Sequence, residues 1–445
     1  MALPPGASPA VPDQLRAALA YLDGHVNFET APARRAAPTL ERMVALCRLL
    51  GDPQHACPVI HVTGTNGKGS TARMISVLLA AHGLSVGTYT SPHLERLNER
   101  LVGDGQPIDD AELAEALLSL EPLEEHLGVR LTHFELLTAA ALRWFADRAV
   151  DVVVLEVGMG GRWDATNVAD GQVAVVTNVG LDHVEVIGPT RADIAGEKAG
   201  IVKPGAALIL GETDPDLRPL FDDRGAATPR RRDEDFACER SVVAVGGRVL
   251  DLRTPAGLAE GLFVPLHGAH QGDNAAVALA AVEAFFGRPL DHRVVAQAFG
   301  EVRVPGRFEV VGRRPFVVLD GAHNPDGARA LRATLDEDFA GRTPEVLVVG
   351  FTSGRDPAEM LGLIGAAGCR LVVGCRPPST RGLPAEAVVE AAAGLGVRAE
   401  AAASVADAVR RALEVVDDTE FVLITGSLYV VGDARRAWRG RADGA

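Results

Sequence analysis

The run Gly64-Thr65-Asn66-Gly67-Lys68-Gly69-Ser70 constrains this chain more than any other stretch. It follows the apolar residues Val59, Ile60 and Val62 and precedes Met74, Ile75, Leu78 and Leu79, which recur at helical spacing. That order is strand, glycine loop, helix. The backbone N–H groups of such a loop, with the positive end of the helix behind them, cradle phosphate oxygens. Lys68 is placed to reach terminal phosphates as a point charge, and the Ser70 hydroxyl is a natural partner for Mg²⁺. The run departs from the strict P-loop pattern, because position 62 is Val and Gly69 separates Lys68 from Ser70. A glycine-rich turn of an ordinary α/β protein is the plainer alternative.

The surrounding pattern is α/β. Apolar runs at Pro58–Thr63, Val150–Val157, Gln172–Asn178 and Ala206–Leu210 predict strands with helices between them. Val152-Val153-Val154-Leu155 is apolar throughout, as in a mostly parallel sheet covered on both faces. Between about 236 and 266, Ser241–Val245 and Arg248–Leu252 flank Gly246-Gly247 and predict a small antiparallel patch, followed by a helix over Asp273–Phe286. From about 306 a second alternation begins. It has strands at Phe316–Leu319, Val346–Val349, Leu371–Val373 and Phe421–Ile424, with helices at Ala328–Phe339, Ala385–Ala393 and Val405–Val416. The expectation is a P-loop sheet domain over residues 1–304 and a smaller Rossmann-like domain over 305–445, hinged near Val302–Pro305. The stretch Asp222–Asp235, with Arg230-Arg231-Arg232 among carboxylates, reads as a solvated loop rather than a basic binding patch.

Charge and cysteine usage exclude several classes. A net charge of −15 argues against non-specific nucleic-acid binding and against anionic membrane surfaces. The five cysteines include no C-x-x-C pair, so a disulfide framework or structural zinc site is not expected, and a cytoplasmic location is. Met1–Ala10 has neither a basic nor an apolar segment of a signal peptide, and no apolar run approaches the ~20 residues that span a bilayer.

Ligands of open α/β sheets bind at the carboxyl ends of strands, and several strand ends here are polar. Thr90-Ser91-Pro92-His93-Leu94 offers a hydroxyl ligand at Ser91, or simply a capped turn. Glu156 closes an apolar strand and precedes Gly158-Met159-Gly160-Gly161; a carboxylate there is costly unless paired or metal-bound. Asp182 and His183 follow the strand ending at Thr177-Asn178. Lys198 lies in Gly196-Glu197-Lys198-Ala199-Gly200, where an ordinary exposed lysine fits as well. Arg307 offers a cation at the domain junction, and Asp320 and His323 stand three apart after a strand.

Together these runs resemble the Mur ligase superfamily, and within it the folylpolyglutamate synthases that are often also dihydrofolate synthases. The matching runs are Gly64–Ser70, Thr90–Leu94, Phe134-Glu135, Glu156–Asn167, Leu181–His183, Glu197–Ile201, His270–Asn274, Pro305–Glu309, Asp320–Pro325 and Thr425-Gly426-Ser427. They keep the family's order over nearly the whole chain. The resemblance implies an ATP-dependent ligase. A carboxylate of dihydropteroate or a folate is phosphorylated to an acyl phosphate, and L-glutamate then attacks it. It implies phosphate binding by Gly64, Thr65, Asn66, Gly67, Lys68, Gly69 and Ser70, with Asn274 on the adenine side and Arg307 and Asp320 reaching the nucleotide. It implies two Mg²⁺ ions held by Ser91, Glu156, His183 and a carbamylated Lys198, and a catalytic set of Lys68, Lys198, His183, Asp320 and His323. Phe134, Asp164 and Ala165 match pterin contacts, and His323 faces substrate. Family members are commonly monomers.

One loop departs: where relatives often carry Asp-Lys-Asp after a strand, this chain reads Gly354-Arg355-Asp356. A peptidoglycan-type Mur ligase is a rival, but it predicts a further domain before the first strand, where 57 residues stand here. A single-activity synthase, another Mur-type amide ligase and a non-catalytic nucleotide-binding module also remain open.

Overall fold

The computed structural model describes residues 11–29 and 39–442; the stretch Met1–Ala10, expected to hold no leader, lies outside the described residues. Eight strands form the first sheet: β1 (Val59–Thr63), β2 (Val86–Tyr89), β3 (Leu101–Gly103), β4 (Gln106–Pro107), β5 (Val152–Glu156), β6 (Val173–Val176), β7 (Ala207–Leu210) and β8 (Thr228–Arg231). Their order is β4-β3-β2-β5-β1-β6-β7-β8. All neighbours run parallel except that β3 is antiparallel to β2 and β4. The expected strands reappear as β1, β5, β6 and β7. β1, β5 and β6 lie side by side at the centre, which gathers their carboxyl ends into one rim.

Alternation along β1 decides which helices cover which face. Ile60 and Val62 join a core with Met74, Ile75, Leu78 and Leu79 of the helix Lys68–Ala81 and with the helices His270–Phe286 and His292–Glu301. Each of those four fully buried side chains contributes about 1.5–3 kcal/mol, which holds the helix start against the glycine loop. Val59 packs on the opposite face with Leu136 and Leu137 of the helix His133–Asp147.

The antiparallel patch is a three-stranded sheet of β9 (Ala237–Ala244), β10 (Gly247–Thr254) and β11 (Gly257–Val264). Gly247 pairs with Ala244, so the hairpin turn is Val245-Gly246, one residue earlier than expected. The six strands of the last sheet are β12 (Glu309–Arg313), β13 (Phe316–Leu319), β14 (Val346–Val349), β15 (Leu371–Gly374), β16 (Ala399–Ala401) and β17 (Phe421–Thr425). Their order is β12-β13-β17-β14-β15-β16, parallel except for β12 on β13.

The segment 222–235 corrects one expectation. It is not a free loop, because Thr228–Arg231 adds β8 to the edge of the first sheet. The three consecutive arginines are each paired: Arg231 with Asp222 at 2.6 Å, Arg232 with Asp273 at 2.9 Å and Arg230 with Glu283 at 4.0 Å. The polar composition that suggested a loop is that of a half-exposed edge strand.

Between the first and last sheets, Phe308 adopts a left-handed backbone (φ 45°) and donates its N–H to Asp320 Oδ2 at 2.9 Å. Its ring stacks on Phe339 and tilts against His267. Asp338 reinforces the junction, accepting from Gly268 N at 3.0 Å and pairing with buried Arg248. Among the described residues, no helix is long and apolar enough to cross a membrane.

Candidate active site

The carboxyl ends of β1, β5 and β6 open into a cavity of about 430 Å³ whose far wall comes from the last sheet. The glycine loop leaves β1 through Gly64, at φ 153°. A Cβ there would lie 1.8 Å from Thr177 Oγ1, so only glycine lets the loop pass β6 so closely. Gly67 (φ 82°) then turns the chain into the helix, and a Cβ on it would sit 2.5 Å from Asn274 Oδ1. Thr177 Oγ1 donates to Asn66 O at 2.6 Å, and Asn178 Oδ1 accepts from Asn66 N at 2.9 Å. Two sheet-borne side chains therefore set the loop's shape. The first-turn N–H groups of the helix lack partners within it and face the cavity as anion donors. Lys68 Nζ bonds Gly64 O at 3.0 Å and Thr65 O at 3.3 Å, holding the ammonium over the loop.

Glu156 ends β5 with 4% of its surface exposed. Burial raises its pKa to about 7, against the pull of Lys68 and of Ser91 N, which donates to Oε2 at 3.2 Å. Burial likewise lowers Lys198 to about 7, with Lys68 adding repulsion. Lys198 is thus not the exposed lysine its turn allowed. His183 sits in a left-handed conformation (φ 53°) and is held below its ordinary pKa chiefly by burial, despite Asp182. From the last sheet, Asp320 accepts N–H bonds from Phe308 and Ala322, both at 2.9 Å; burial raises its pKa although Arg307 opposes it. His323 Nδ1 bonds Gly321 O at 2.9 Å, so its neutral ring presents Nε2 as an acceptor, and burial pushes its pKa down to about 4.

The cavity therefore brings together Gly64 to Ser70, Ser91, Glu156, His183, Lys198, Asn274, Arg307, Asp320 and His323. Loop amides with the basic side chains Lys68 and Arg307 suit a polyphosphate, and Asn274, bonded to Gln271 Oε1 at 3.0 Å, lines the wall beyond the loop. Another cleft, of about 630 Å³ beside Leu50 and Arg143, contains none of these residues.

Comparison with known proteins gives the pattern a family. Residues 62–282 match the Mur ligase middle domain, and residues 306–428 match the Mur ligase glutamate ligase domain. The dihydrofolate synthase/folylpolyglutamate synthase of Mycobacterium tuberculosis is 39% identical over 92% of each chain. The chain belongs to the dihydrofolate synthase/folylpolyglutamate synthase family of Mur ligases. The M. tuberculosis folylpolyglutamate synthase complexed with ADP superposes with a TM-score of 0.88 at 37% identity, covering 96% of this chain and 99% of that one. An Escherichia coli member in complex with DHPP and ADP gives 0.85 at 32% identity, covering 98% of this chain and 100% of that one.

In this Mur ligase chain the remaining sequence candidates, Phe134, Asp164 and Ala165, do not line the cavity. Phe134 lies one layer behind it: a Cβ on Gly158 would meet its ring at 2.6 Å. Asp164 is buried and bonds inward, accepting from Met159 N at 2.9 Å and Thr166 N at 3.0 Å. The Thr166 hydroxyl donates to Asp164 at 2.5 Å and accepts from His61 Nε2 at 2.8 Å. His61, in the middle of β1, thus supports the Gly158–Gly160 wall of this ligase from behind. Sequence reasoning gave no role to His61, Asn178, Asn324 or Arg355, although Asn178 follows β6 as a polar residue, Asn324 lies in a matching run and Arg355 lies in the departing loop.

Proposed function

We propose that this chain is an ATP-dependent ligase that joins L-glutamate to dihydropteroate, to reduced folates, or to both. The observation that carries the reading is that Arg307, Asp320 and His323 of the second unit face the glycine loop across one cavity. The reading takes residues 1–304 as the nucleotide-binding unit and 305–445 as its partner. The substrate carboxylate attacks the γ-phosphorus, the P–O bond to ADP breaks, and an acyl phosphate forms. The glutamate amine then attacks the acyl carbon, phosphate leaves, and the nitrogen loses a proton. Both reactants of the first step are anions, so the loop amides, Lys68 and Arg307 offset their repulsion. Asn274 meets the base, Asp320 fixes the junction beside the nucleotide, and His323 Nε2 orients the incoming amine. Phe134, Asp164 and Ala165 are the side on which we place the pterin.

Mg²⁺ fits the residues present. Glu156 is a buried carboxylate with one backbone donor, and Gly69 leaves room beside it, a Cβ there standing 3.5 Å from Oε2. Among the described residues no group of three His, Cys, Asp or Glu is set to hold a metal. Ser91, Glu156 and His183 would form a sparse set completed by phosphates and water, as this ion prefers. Bound there, the ion supplies neutralisation of the phosphoryl charge. An amine with a pKa near 7 is about half unprotonated at neutral pH, so Lys198 can combine with carbon dioxide and present an anion instead of a repelling cation. A cytoplasmic monomer without nucleic-acid or membrane partners accords with the charge and the free cysteines.

The test is ADP release by the purified protein with ATP, Mg²⁺ and L-glutamate, offering dihydropteroate and tetrahydrofolate separately. Turnover with both is expected. Turnover with one assigns a single synthase, and turnover with neither refutes the folate reading.

A further inference from the structure

We propose that Arg355 and Asn324 are positioning residues: they lock Asp182 across the junction and so hold the His183 loop and the glycine loop in register with the second unit. This rests on the function proposed above. Arg355 belongs to the loop that follows β14, and the catalytic reading leaves it without a role. Its Nη2 lies 2.5 Å from Asp182 Oδ1. Asn324 Nδ2 donates to Asp182 Oδ2 at 3.2 Å and to Asn66 Oδ1 at 3.0 Å. Asn324 has no freedom to turn away, because its Oδ1 accepts from Gly327 N at 2.8 Å as the cap of the helix Pro325–Asp338, and it is 1% exposed.

The geometry transmits in two directions. Asp182 Oδ1 also accepts the His183 N–H at 2.9 Å, at a residue whose left-handed backbone costs energy unless its surroundings impose it. Asn66 is the loop residue that Thr177 and Asn178 grip from the other side. One carboxylate and one amide of the junction thus reach both the metal-side histidine and the phosphate loop. Asp182 meets the Arg355 guanidinium on one oxygen and the Asn324 amide on the other, so the contact joins a carboxylate to a permanently cationic partner and is a charge-assisted one. The second unit therefore does more than deliver Arg307, Asp320 and His323: its arrival completes the shape of the first unit's site.

Arg355→Met, Arg355→Lys, Asp182→Asn and the double variant R355M/D182N test this in the full-length protein. Losing a charge-assisted contact of this kind should lower kcat about ten- to a hundredfold in Arg355→Met, with KM for ATP changing less. Arg355→Lys should restore most of the rate. The double variant leaves no unpaired buried charge, and its kcat should match that of the single variants rather than their product. Hydrogen exchange, read without any turnover, should speed up at residues 180–187 in Arg355→Met while β5 stays protected. Multiplying effects in the double variant would make Arg355 an independent contact and overturn the proposal. So would recovery of wild-type kcat, or unchanged exchange at 180–187. If the wild type turned over neither folate substrate, the exchange arm would still decide the lock.

Discussion

His61 gives a stability prediction that needs no ligand. It is fully buried in the middle of β1, with Nε2 on the Thr166 hydroxyl and Nδ1 buried without a partner. A proton on Nδ1 would place a charge where nothing answers it, and burial accordingly lowers the folded-state pKa from 6.5 to about 3, with Lys203 adding to the effect. A depressed histidine pKa means that the unfolded chain binds the proton first. Stability is therefore complete above about pH 6.5 and is lost as pH falls from there toward about 3. At pH 5 the unfolded imidazole is almost wholly protonated and the folded one almost wholly neutral, which removes about 2 kcal/mol relative to pH 8. The perturbation is His61→Gln, whose amide keeps a donor for Thr166 and does not titrate. Urea unfolding of both proteins at pH 8, 7, 6 and 5 gives the two pH dependences, and other titrating groups cancel in the difference. The wild type should lose about 2 kcal/mol more than the variant between pH 8 and pH 5, whatever the variant's stability at pH 8. Parallel curves would falsify the claim that His61 is held neutral by its setting.

Two further outcomes follow from the site. Gly64→Ala puts a Cβ 1.8 Å from Thr177 Oγ1 at φ 153°, so it should break the Thr177–Asn66 bond, cost about 2–3 kcal/mol in urea unfolding and weaken ADP binding measured by calorimetry; wild-type stability with wild-type ADP affinity would contradict it. Lys198→Ala should abolish ligase turnover yet leave ADP binding within a few-fold, and a carbamate carbon signal from labelled bicarbonate should appear in the wild type and vanish in the variant.

The glycine loop and the strand-end candidates were legible because each is a local device: Gly67, Lys68 and Ser70 act within one turn, and Glu156 announces itself by ending an apolar strand. The central strands were legible for the same reason, since Val152–Leu155 needs two covered faces. What escaped was either short or tertiary. β2, reading Val86-Gly87-Thr88-Tyr89, is interrupted by a glycine whose missing Cβ makes room for Phe145. β8 is polar because one side of it faces water. Arg355 looked like a departure from a pattern; its partner Asp182 is 173 residues away, in the loop after β6, a distance no local spacing can bridge. Asp164 was a candidate only through the resemblance, and its bonds turn inward to Met159 and Thr166, with His61 behind Thr166, which only the packing of β1 against the following turn decides.

The edges of the two large sheets have a bearing on how this molecule behaves among its copies. β4 is two residues long and ends in Pro107; β8 carries Pro229 and two paired arginines. β16 has three residues, and β12 is irregular between Val310 and Gly312. None of the four offers a long, flat row of free N–H and C=O groups to an incoming strand. Blunt rims of this kind let folded copies meet at high concentration without one chain's sheet templating the next into a fibre.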